Sequence, residues 1–313
     1  MNIKSILRNN PLLLWLFDEY FYLKYWLIYK VSPKLSAKIA YKKAMHRTLD
    51  LDNPRDLIEK YMWMELNTDT SLWTLCADKY RMRSFVEEKG FGEYLPKLYG
   101  HWDNPDDIDF DELPDKFVLK ANNGCGTVMI VRDKSDINYA KTRKKLKQWL
   151  LHPYGYFGAQ IHYLSIKPCI IAEELLEQDE AEKEFSPISI ADYKVWCFSG
   201  RPECILVVYN RTSRRYYLDL YDLNWMKMDD KFNFNGHFGY NKSCITRPNC
   251  LNEMLEIATN LSKPFNEVRI DFYVTNGKPI IGELTFSTGA GYFTQDYYNY
   301  LGDKIDISKV GKA

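Results

Sequence analysis

Few folds can accommodate the stretch VRIDFYVTNGKPIIGELTFSTGAGY, residues 268–292. An apolar run carrying Arg269, Asp271 and Phe272 breaks at Asn276-Gly277, a dipeptide suited to a tight hairpin turn, and a second run follows from Pro279 to Phe286. The pattern predicts two antiparallel strands with Asp271 near Glu283 across the hairpin. Carboxylates are costly to bury unless something positive compensates them, and Mg²⁺ with a polyphosphate is the usual answer for hard oxygen ligands. The hairpin is therefore a candidate metal site. An ordinary hairpin whose two acids face water is the plain alternative.

A second stretch, PDKFVLKANNGCGTVMIVR from Pro114 to Arg132, predicts strand, small-residue loop, strand. Lys120 ends the first strand and is followed by Asn-Asn-Gly-Cys-Gly-Thr, so one mobile cation sits beside backbone N–H groups that no side chain obstructs. A terminal phosphate needs both. The loop lacks the Gly-Lys-Ser/Thr of a Walker A motif, and alone a Gly-x-Gly between strands is most often just a turn. It gains weight from its position ahead of a helix from Asp136 to Leu151 capped by Ser135, and of PCIIAEELL, a buried strand ending in acids.

Lys plus Arg and Asp plus Glu both number 42, so no net field attracts a polyanion, which argues against a nucleic-acid partner. Aromatic residues make up 15% of the chain, 24 of them Tyr; they suit a sugar-like partner or a ring-filled core equally. The seven cysteines form no Cys-x-x-Cys pair and suit reduced thiols of a cytosolic protein. The five histidines show no zinc spacing, and no cleavable signal peptide or internal repeat is legible.

Near the N-terminus, LLLWLFDEYFYLKYWLIY (residues 12–29) is apolar, yet Asp18, Glu19 and Lys24 would each cost about 2.5 to 3.5 kcal/mol at the centre of a membrane span. The stretch suits a helix packed on the protein, or one lying at a membrane surface with Lys4, Arg8 and Lys30 nearby. A basic helix is predicted from Lys34 to Met45, another from Asn53-Pro54 to Leu66, and a third from Asp78 to the stop at Gly90. FGEYLPKLYG predicts a strand. From Ala191 an antiparallel meander begins, with Asp192 and Lys194 on one face, and a helix from Asn249 precedes the hairpin. Arg211, Arg214 and Arg215 form a cluster suited to a carboxylate or phosphate, or to a solvated loop. The tail rings Tyr292, Phe293, Tyr297, Tyr298 and Tyr300 suit a glycan at the mouth of a site or a core-covering tail.

Taken in order, DKYRMRSFV, PDKFVLK with its glycine loop, DYKVWCFSG, RIDFY and GELTFSTGAG resemble the ATP-grasp superfamily, and most closely its TupA-like branch, associated with teichuronopeptide and other bacterial surface polysaccharides. The motifs span residues 76–292, roughly two thirds of the chain. The resemblance implies an α+β ATP-grasp fold: an N-terminal helical extension (1–75), a first subdomain (76–113), a lid (114–177) and a C-terminal catalytic subdomain (178–313). It implies Mg²⁺ on Asp271, Glu283 and Thr285, with Thr285 standing where the family usually has Asn. Lys120 matches the lysine that grips the phosphates, and Asn123, Gly124 and Gly126 belong to the loop that closes over them. Arg83, four residues beyond Lys79, matches a phosphate contact; its alternative is a surface pair with Glu87. Glu173 matches the hinge acid, Glu174 and Leu175 complete the adenine edge, and Glu177 is the choice for the ribose. Lys194 would face phosphate, or form an exposed cross-strand salt bridge.

What the resemblance implies for activity is a cytoplasmic carboxylate–amine ligase, with the inner face of the membrane as its peripheral contact through residues 12–29. ATP and Mg²⁺ phosphorylate a carboxylate, with Lys120 and Arg269 as the catalytic cations, and an amine displaces the phosphate to give an amide. The expected partners are a carboxylate-bearing or lipid-linked glycan and an amino acid or other amine. A phosphotransferase acting on a glycan hydroxyl, and a non-catalytic nucleotide-binding scaffold of a membrane-associated synthase, are the alternatives.

Overall fold

Two antiparallel sheets carry the molecule. The computed structural model describes residues 10–212, 215–233, 238, 239, 241 and 243–310; Lys4, Arg8 and Arg214 lie outside them. The first sheet holds β1 (Leu98–Trp102), β2 (Phe117–Ala121), β3 (Val128–Val131) and β4 (Ile170–Glu173) in the order β1-β4-β2-β3. The second holds β5 (Asp192–Phe198), β6 (Arg201–Tyr209), β7 (Tyr217–Tyr221), β8 (Val268–Thr275) and β9 (Lys278–Thr285) in the order β7-β6-β5-β8-β9. The α+β class expected from the sequence is the class found. β1, from segment 76–113, shares one sheet with three strands of segment 114–177.

Strand alternation decides which residues face the space that matters. Phe117, Leu119 and Ala121 of β2 join Ile170 and Ala172 of β4 in a core with Leu146 of the Tyr139–Leu151 helix. Their neighbours Lys120 and Glu173 therefore point to the opposite face. In the second sheet, Val195, Cys197, Val268 and Ile270 are buried on the side of the Leu251–Ser262 helix, whose Met254, Ile257, Ala258 and Leu261 recur at helical spacing. Cys197 Sγ lies 3.9 Å from the Ala258 carbonyl oxygen. Lys194, Arg269 and Asp271 are thereby left on the other side.

The hairpin turns at Asn276 and Gly277, with φ of 53° and 70°, the positive pair that matches strand twist. Near the turn Phe272 faces Ile281. If that register continued, Asp271 would face Gly282, and Glu283 would pair with Ile270 and point into the core. A bulge between Asp271 and Phe272 shifts the pairing by one, so Asp271 faces Glu283.

Several helix starts fall later than the sequence predicts. The helix expected from Asn53-Pro54 runs Leu57–Asn67, because Asp56 caps it and Glu59 accepts back from the Arg55 N–H at 2.9 Å, in the manner of a capping box. The helix expected from Asp78 runs Met82–Glu88. Asp78 Oδ1 instead accepts from the N–H groups of Tyr80 and Arg81 and holds residues 78–81 in a turn. Asp133, not Ser135, caps a short turn, and the next helix starts at Tyr139 behind Asn138. The tail rings Phe293, Tyr297 and Tyr298 are core.

The N-terminal helix, Pro11–Val31, has two faces. Tyr22 stacks on His152 with centroids 3.9 Å apart, Tyr25 packs on Phe157 at 4.6 Å, and Glu19 meets His152 Nε2 at 2.7 Å. Leu12, Leu16, Tyr20, Leu23 and Leu27 are exposed on its outer side. Among the described residues no helix is long and apolar enough to cross a membrane.

Candidate active site

A row of charges crosses the second sheet. Lys194 on β5 pairs in register with Asp271 on β8, which pairs with Glu283 on β9. Arg269 grips both oxygens of Asp271, with Nε 2.7 Å from Oδ1 and Nη2 2.8 Å from Oδ2. It also donates to Thr285 Oγ1 at 3.2 Å, and its guanidinium lies 5.5 Å from the Trp196 ring centroid. Lys194 Nζ contacts Asp271 Oδ2 and Asp192 Oδ2, the latter at 2.6 Å. Thr285 Oγ1 donates to Glu283 Oε1 at 3.2 Å.

Burial and charge work against each other here. Burial pushes the Asp271 carboxyl up, with Arg269 and Lys194 opposing the rise. Desolvation acts the same way on Glu283, but Lys79, Lys194 and Arg269 together overcome it and hold this carboxyl far below its ordinary range. Burial disfavours the Lys194 ammonium, and Asp192 and Asp271 more than restore it. Direct contact with two cations keeps Asp271 a working anion, and Glu283, its side chain 31% exposed, is the carboxylate that reaches open space.

On the first sheet, Glu173 is buried between two cations. Lys120 Nζ lies 2.7 Å from Oε2, and Arg83 Nη1 3.2 Å from Oε1, while Arg83 Nη2 donates to the Pro96 carbonyl at 2.8 Å. Arg83 thus pairs with Glu173 rather than Glu87. Glu174 is tied to the approach to β1, its N–H donating to the Lys97 carbonyl at 2.9 Å and its carboxylate accepting from the Lys97 N–H at 2.8 Å. Leu175 comes next, in the segment leading to the second sheet. Glu177 points outward, 81% exposed and 3.6 Å from Lys116, and its carbonyl accepts from Thr275 Oγ1 at 2.6 Å. The structure brings Arg83, Lys120 and Glu173 into one group and Lys194, Arg269, Asp271, Glu283 and Thr285 into another; Glu177's carboxylate joins neither.

Lys79 links the second group to the glycine loop. Its Nζ donates to the Gly124 carbonyl at 2.8 Å and lies 3.3 Å from Glu283 Oε2. Asn123 is buried beside Gly124, and Gly124 and Gly126 both hold φ near +80°. In the sequence Lys79 serves only to count forward to Arg83, and Asp192 stands out only for sharing a face with Lys194. The signal for Lys79 is its place directly behind Asp78, an Asx-turn former that keeps it out of a helix. Arg211 lies at the edge, 3.5 Å from Asp192.

Asp271, Glu283 and Thr285 present oxygen donors only, the set Mg²⁺ takes. Among the described residues no cluster of three acidic, Cys or His groups forms a ready-made metal cage. The donors therefore suit a cation that arrives with oxygens of its own and meets Glu283 at the open side, with Thr285 and Asp271 buried behind it. All seven cysteines are free thiols.

Residues 59–306 match the family described as TupA-like ATPgrasp. No curated protein matches the chain. Similar solved structures include D-alanine–D-alanine ligase from Bacillus anthracis complexed with ATP (16% identity, 76% of this chain and 67% of that one, TM-score 0.48). Others are L-amino acid ligase from Bacillus licheniformis (14%, 71% and 45%, 0.41) and the ATP-grasp ligase PsnB with a phosphomimetic variant of its minimal precursor, Mg and ADP (13%, 72% and 57%, 0.38). The chain thus spans between 45 and 67% of the length of these solved chains.

Proposed function

The chain belongs to the TupA-like ATP-grasp family, and from that premise we propose that it is an ATP- and Mg²⁺-dependent ligase joining a carboxylate to an amine through an acyl phosphate. The observation that carries this reading is Lys79, which reaches from the Gly124 carbonyl to Glu283 and so makes the glycine loop and the acidic hairpin one site.

In this reading the ATP phosphates lie between the two. Lys120 and Lys79 move from Glu173 and Glu283 onto phosphate oxygens, and Asn123, Gly124 and Gly126 present backbone around them. Arg83 stays with Glu173 and keeps Lys120 close by, while Glu174 and Leu175 edge the adenine and Glu177 serves the ribose. When bound at Asp271, Glu283 and Thr285, Mg²⁺ neutralises phosphate oxygens. The substrate carboxylate oxygen bonds to the γ-phosphorus as ADP departs; the amine nitrogen then bonds to the acyl carbon, the carbon–oxygen bond to phosphate breaks, and phosphate and a proton are released. Lys120, Lys194 and Arg269 supply positive charge where it is most needed, in the transition state. Arg269, clamped by Asp271, requires no reorganisation to do so.

The proposal extends to a carboxylate-bearing or lipid-linked glycan of the bacterial cell surface as one substrate and an amino acid or similar amine as the other. It also places the chain in the cytoplasm, touching the inner membrane face through the outer side of the N-terminal helix. Exposed Leu12, Leu16, Leu23 and Leu27, followed by exposed Lys34, Lys38 and Lys42, support this.

The test is release of ADP and free phosphate with Mg²⁺, a panel of uronic acids and a pool of amino acids. Release that needs carboxylate and amine together, and falls at least ~10²-fold in Glu283→Ala, is the expected result. ADP without free phosphate would replace the ligase with a phosphotransferase, and tight ATP binding without turnover across the panel would favour the scaffold.

A further inference from the structure

Between the Tyr139–Leu151 helix and β4 the chain makes a turn whose side chains have no part in the site so far. Gly155 holds φ at 121°, and a Cβ there would come within 2.5 Å of the Gln160 carbonyl oxygen, so only a glycine lets the chain close on itself. The Gln160 N–H donates back to the Gly155 carbonyl at 2.9 Å. The turn delivers a short helix, Ile161–Leu164, that two neighbours fasten. Glu65 of the Leu57–Asn67 helix accepts from the His162 N–H at 2.8 Å and meets Nδ1 of the same residue at 2.7 Å; Thr74 of the Ser71–Ala77 helix donates to the His162 carbonyl at 3.1 Å. His162 is fully buried, and its backbone and ring are both held.

The next residue, Tyr163, is placed by these contacts. Its ring meets Tyr154 edge-on at 5.2 Å, and Tyr154 lies against the glycine loop, where a Cβ on Gly124 would come within 2.6 Å of it. Burial, then Glu283 and Tyr154, hold the Tyr163 hydroxyl well above a tyrosine's ordinary range, with Arg269 opposing the rise and Cys125 adding to it. The hydroxyl thus feels both the acidic hairpin and the glycine loop, the two walls between which the ATP phosphates lie in the reading above. Keeping its proton, it can serve as a donor and not as a base.

Its surroundings set it apart from a core tyrosine. Tyr163 is only 7% exposed, yet among the described residues its hydroxyl has no hydrogen-bond partner, and it is not sealed from solvent. A hydroxyl without a partner adds nothing to the fold, and phenylalanine would fill the same space without the cost of desolvating it. An unspent donor held on a fastened segment beside the reacting groups is suited to a ligand instead.

We propose that Tyr163 is a further catalytic residue, whose O–H donates to an oxygen of the phosphoryl group while that group passes from ATP to the acceptor, and that the Glu65–His162 pair holds it there. The tyrosine keeps its proton throughout: the phosphorus–oxygen bond to ADP breaks, the bond to the acceptor oxygen forms, and the hydrogen bond strengthens as charge gathers on the phosphoryl oxygens. Being neutral, Tyr163 adds direction where Lys120 and Arg269 add charge. The proposal rests on the reading above only in requiring phosphoryl transfer from ATP; a carboxylate and a hydroxyl acceptor would use the donor alike.

The experiment measures, by calorimetry on the full chain, the affinity for ADP with Mg²⁺ alone and with fluoroaluminate added, which mimics the phosphoryl group in flight. Carboxylate-plus-amine-dependent ADP release and the melting temperature are read on the same preparations. Fluoroaluminate should tighten ADP in the parent, and Tyr163→Phe should reduce that tightening by about 10²-fold while the affinity for ADP alone changes less than about twofold. Having lost an unpaired hydroxyl and no packing, the variant should melt no lower than the parent. A parent indifferent to fluoroaluminate, equal tightening in parent and variant, or a variant that melts well below the parent would each overturn the proposal. Tightening that Tyr163→Phe loses, without carboxylate-dependent ADP release, would sink the ligase and leave Tyr163 with the phosphoryl group. Release that needs carboxylate and amine but is unchanged in Tyr163→Phe would sink the Tyr163 assignment alone.

Discussion

Arg269 shows what a single side chain contributes when its neighbours fix it. Its fork closes on both oxygens of Asp271 and reaches Thr285, contacts that a lysine's point charge cannot reproduce. Arg269→Lys is expected to lower kcat by about 10²-fold with a smaller change in the KM for ATP, since its charge acts mainly in the transition state; a rise in KM alone would make it a binding residue. Glu267, two residues away, is fully buried; Oε1 accepts from Trp196 Nε1 at 3.1 Å and Oε2 has no partner. Burial, opposed by Arg269 and Trp196, lifts its carboxyl to about 8. The folded state thus holds this proton more tightly than the unfolded chain does. The stability it gives is present below the unfolded pKa of about 4.3 and is lost as pH rises through about 8. Glu267→Gln should remove that loss, so its melting temperature should exceed the parent's at pH 9 and approach it at pH 5; parallel melting curves would show that the group does not titrate on folding. The residue types of the site were legible because charged groups in apolar strands stand out. Their partners were not, since Lys79 with Gly124, or Arg83 with Glu173, depends on which face each strand presents.

Elements were predicted better in kind than in extent. The first capping residue marks each helix start in the sequence, whereas Asp56 and Asn138 lie further along and are the ones that form the cap hydrogen bonds. The hairpin was visible from Asn276-Gly277, but its bulge was not, because an extra residue in a strand leaves no mark on an apolar run. The glycine loop gives a prediction of its own. Gly124 and Gly126 have equal φ, yet a Cβ on Gly124 meets Tyr154 and one on Gly126 meets nothing. Gly126→Ala should therefore introduce backbone strain alone, about 1–2 kcal/mol, while Gly124→Ala must also displace the Tyr154 ring. Steady-state kinetics should show the larger rise in KM, for ATP and for the carboxylate, in Gly124→Ala; equal effects would show that the loop does not depend on its packing against Tyr154.

Across the whole molecule, the packed reading of the N-terminal stretch describes one side of its helix, and the proposed membrane contact rests on the other. Its inner rings lean on Tyr156 and Phe157 while Leu12, Leu16, Tyr20, Leu23 and Leu27 stay outside, and no periodicity count could apportion these residues between the two sides when all are apolar. Leu16→Glu/Leu23→Glu should reduce sedimentation with vesicles containing anionic lipid several-fold without changing ATP affinity; unchanged sedimentation would leave the outer side without a membrane role. The bulge in the hairpin also bears on ancestry. A relative lacking Gly282 and the bulge together would still set its aspartate opposite its glutamate, so loss of that one codon is a gap the lineage can accept. Loss of Tyr193 would turn Asp192 and Lys194 to opposite faces of β5. Alignments of this family should therefore tolerate length variation just ahead of the glutamate and forbid it between Asp192 and Lys194.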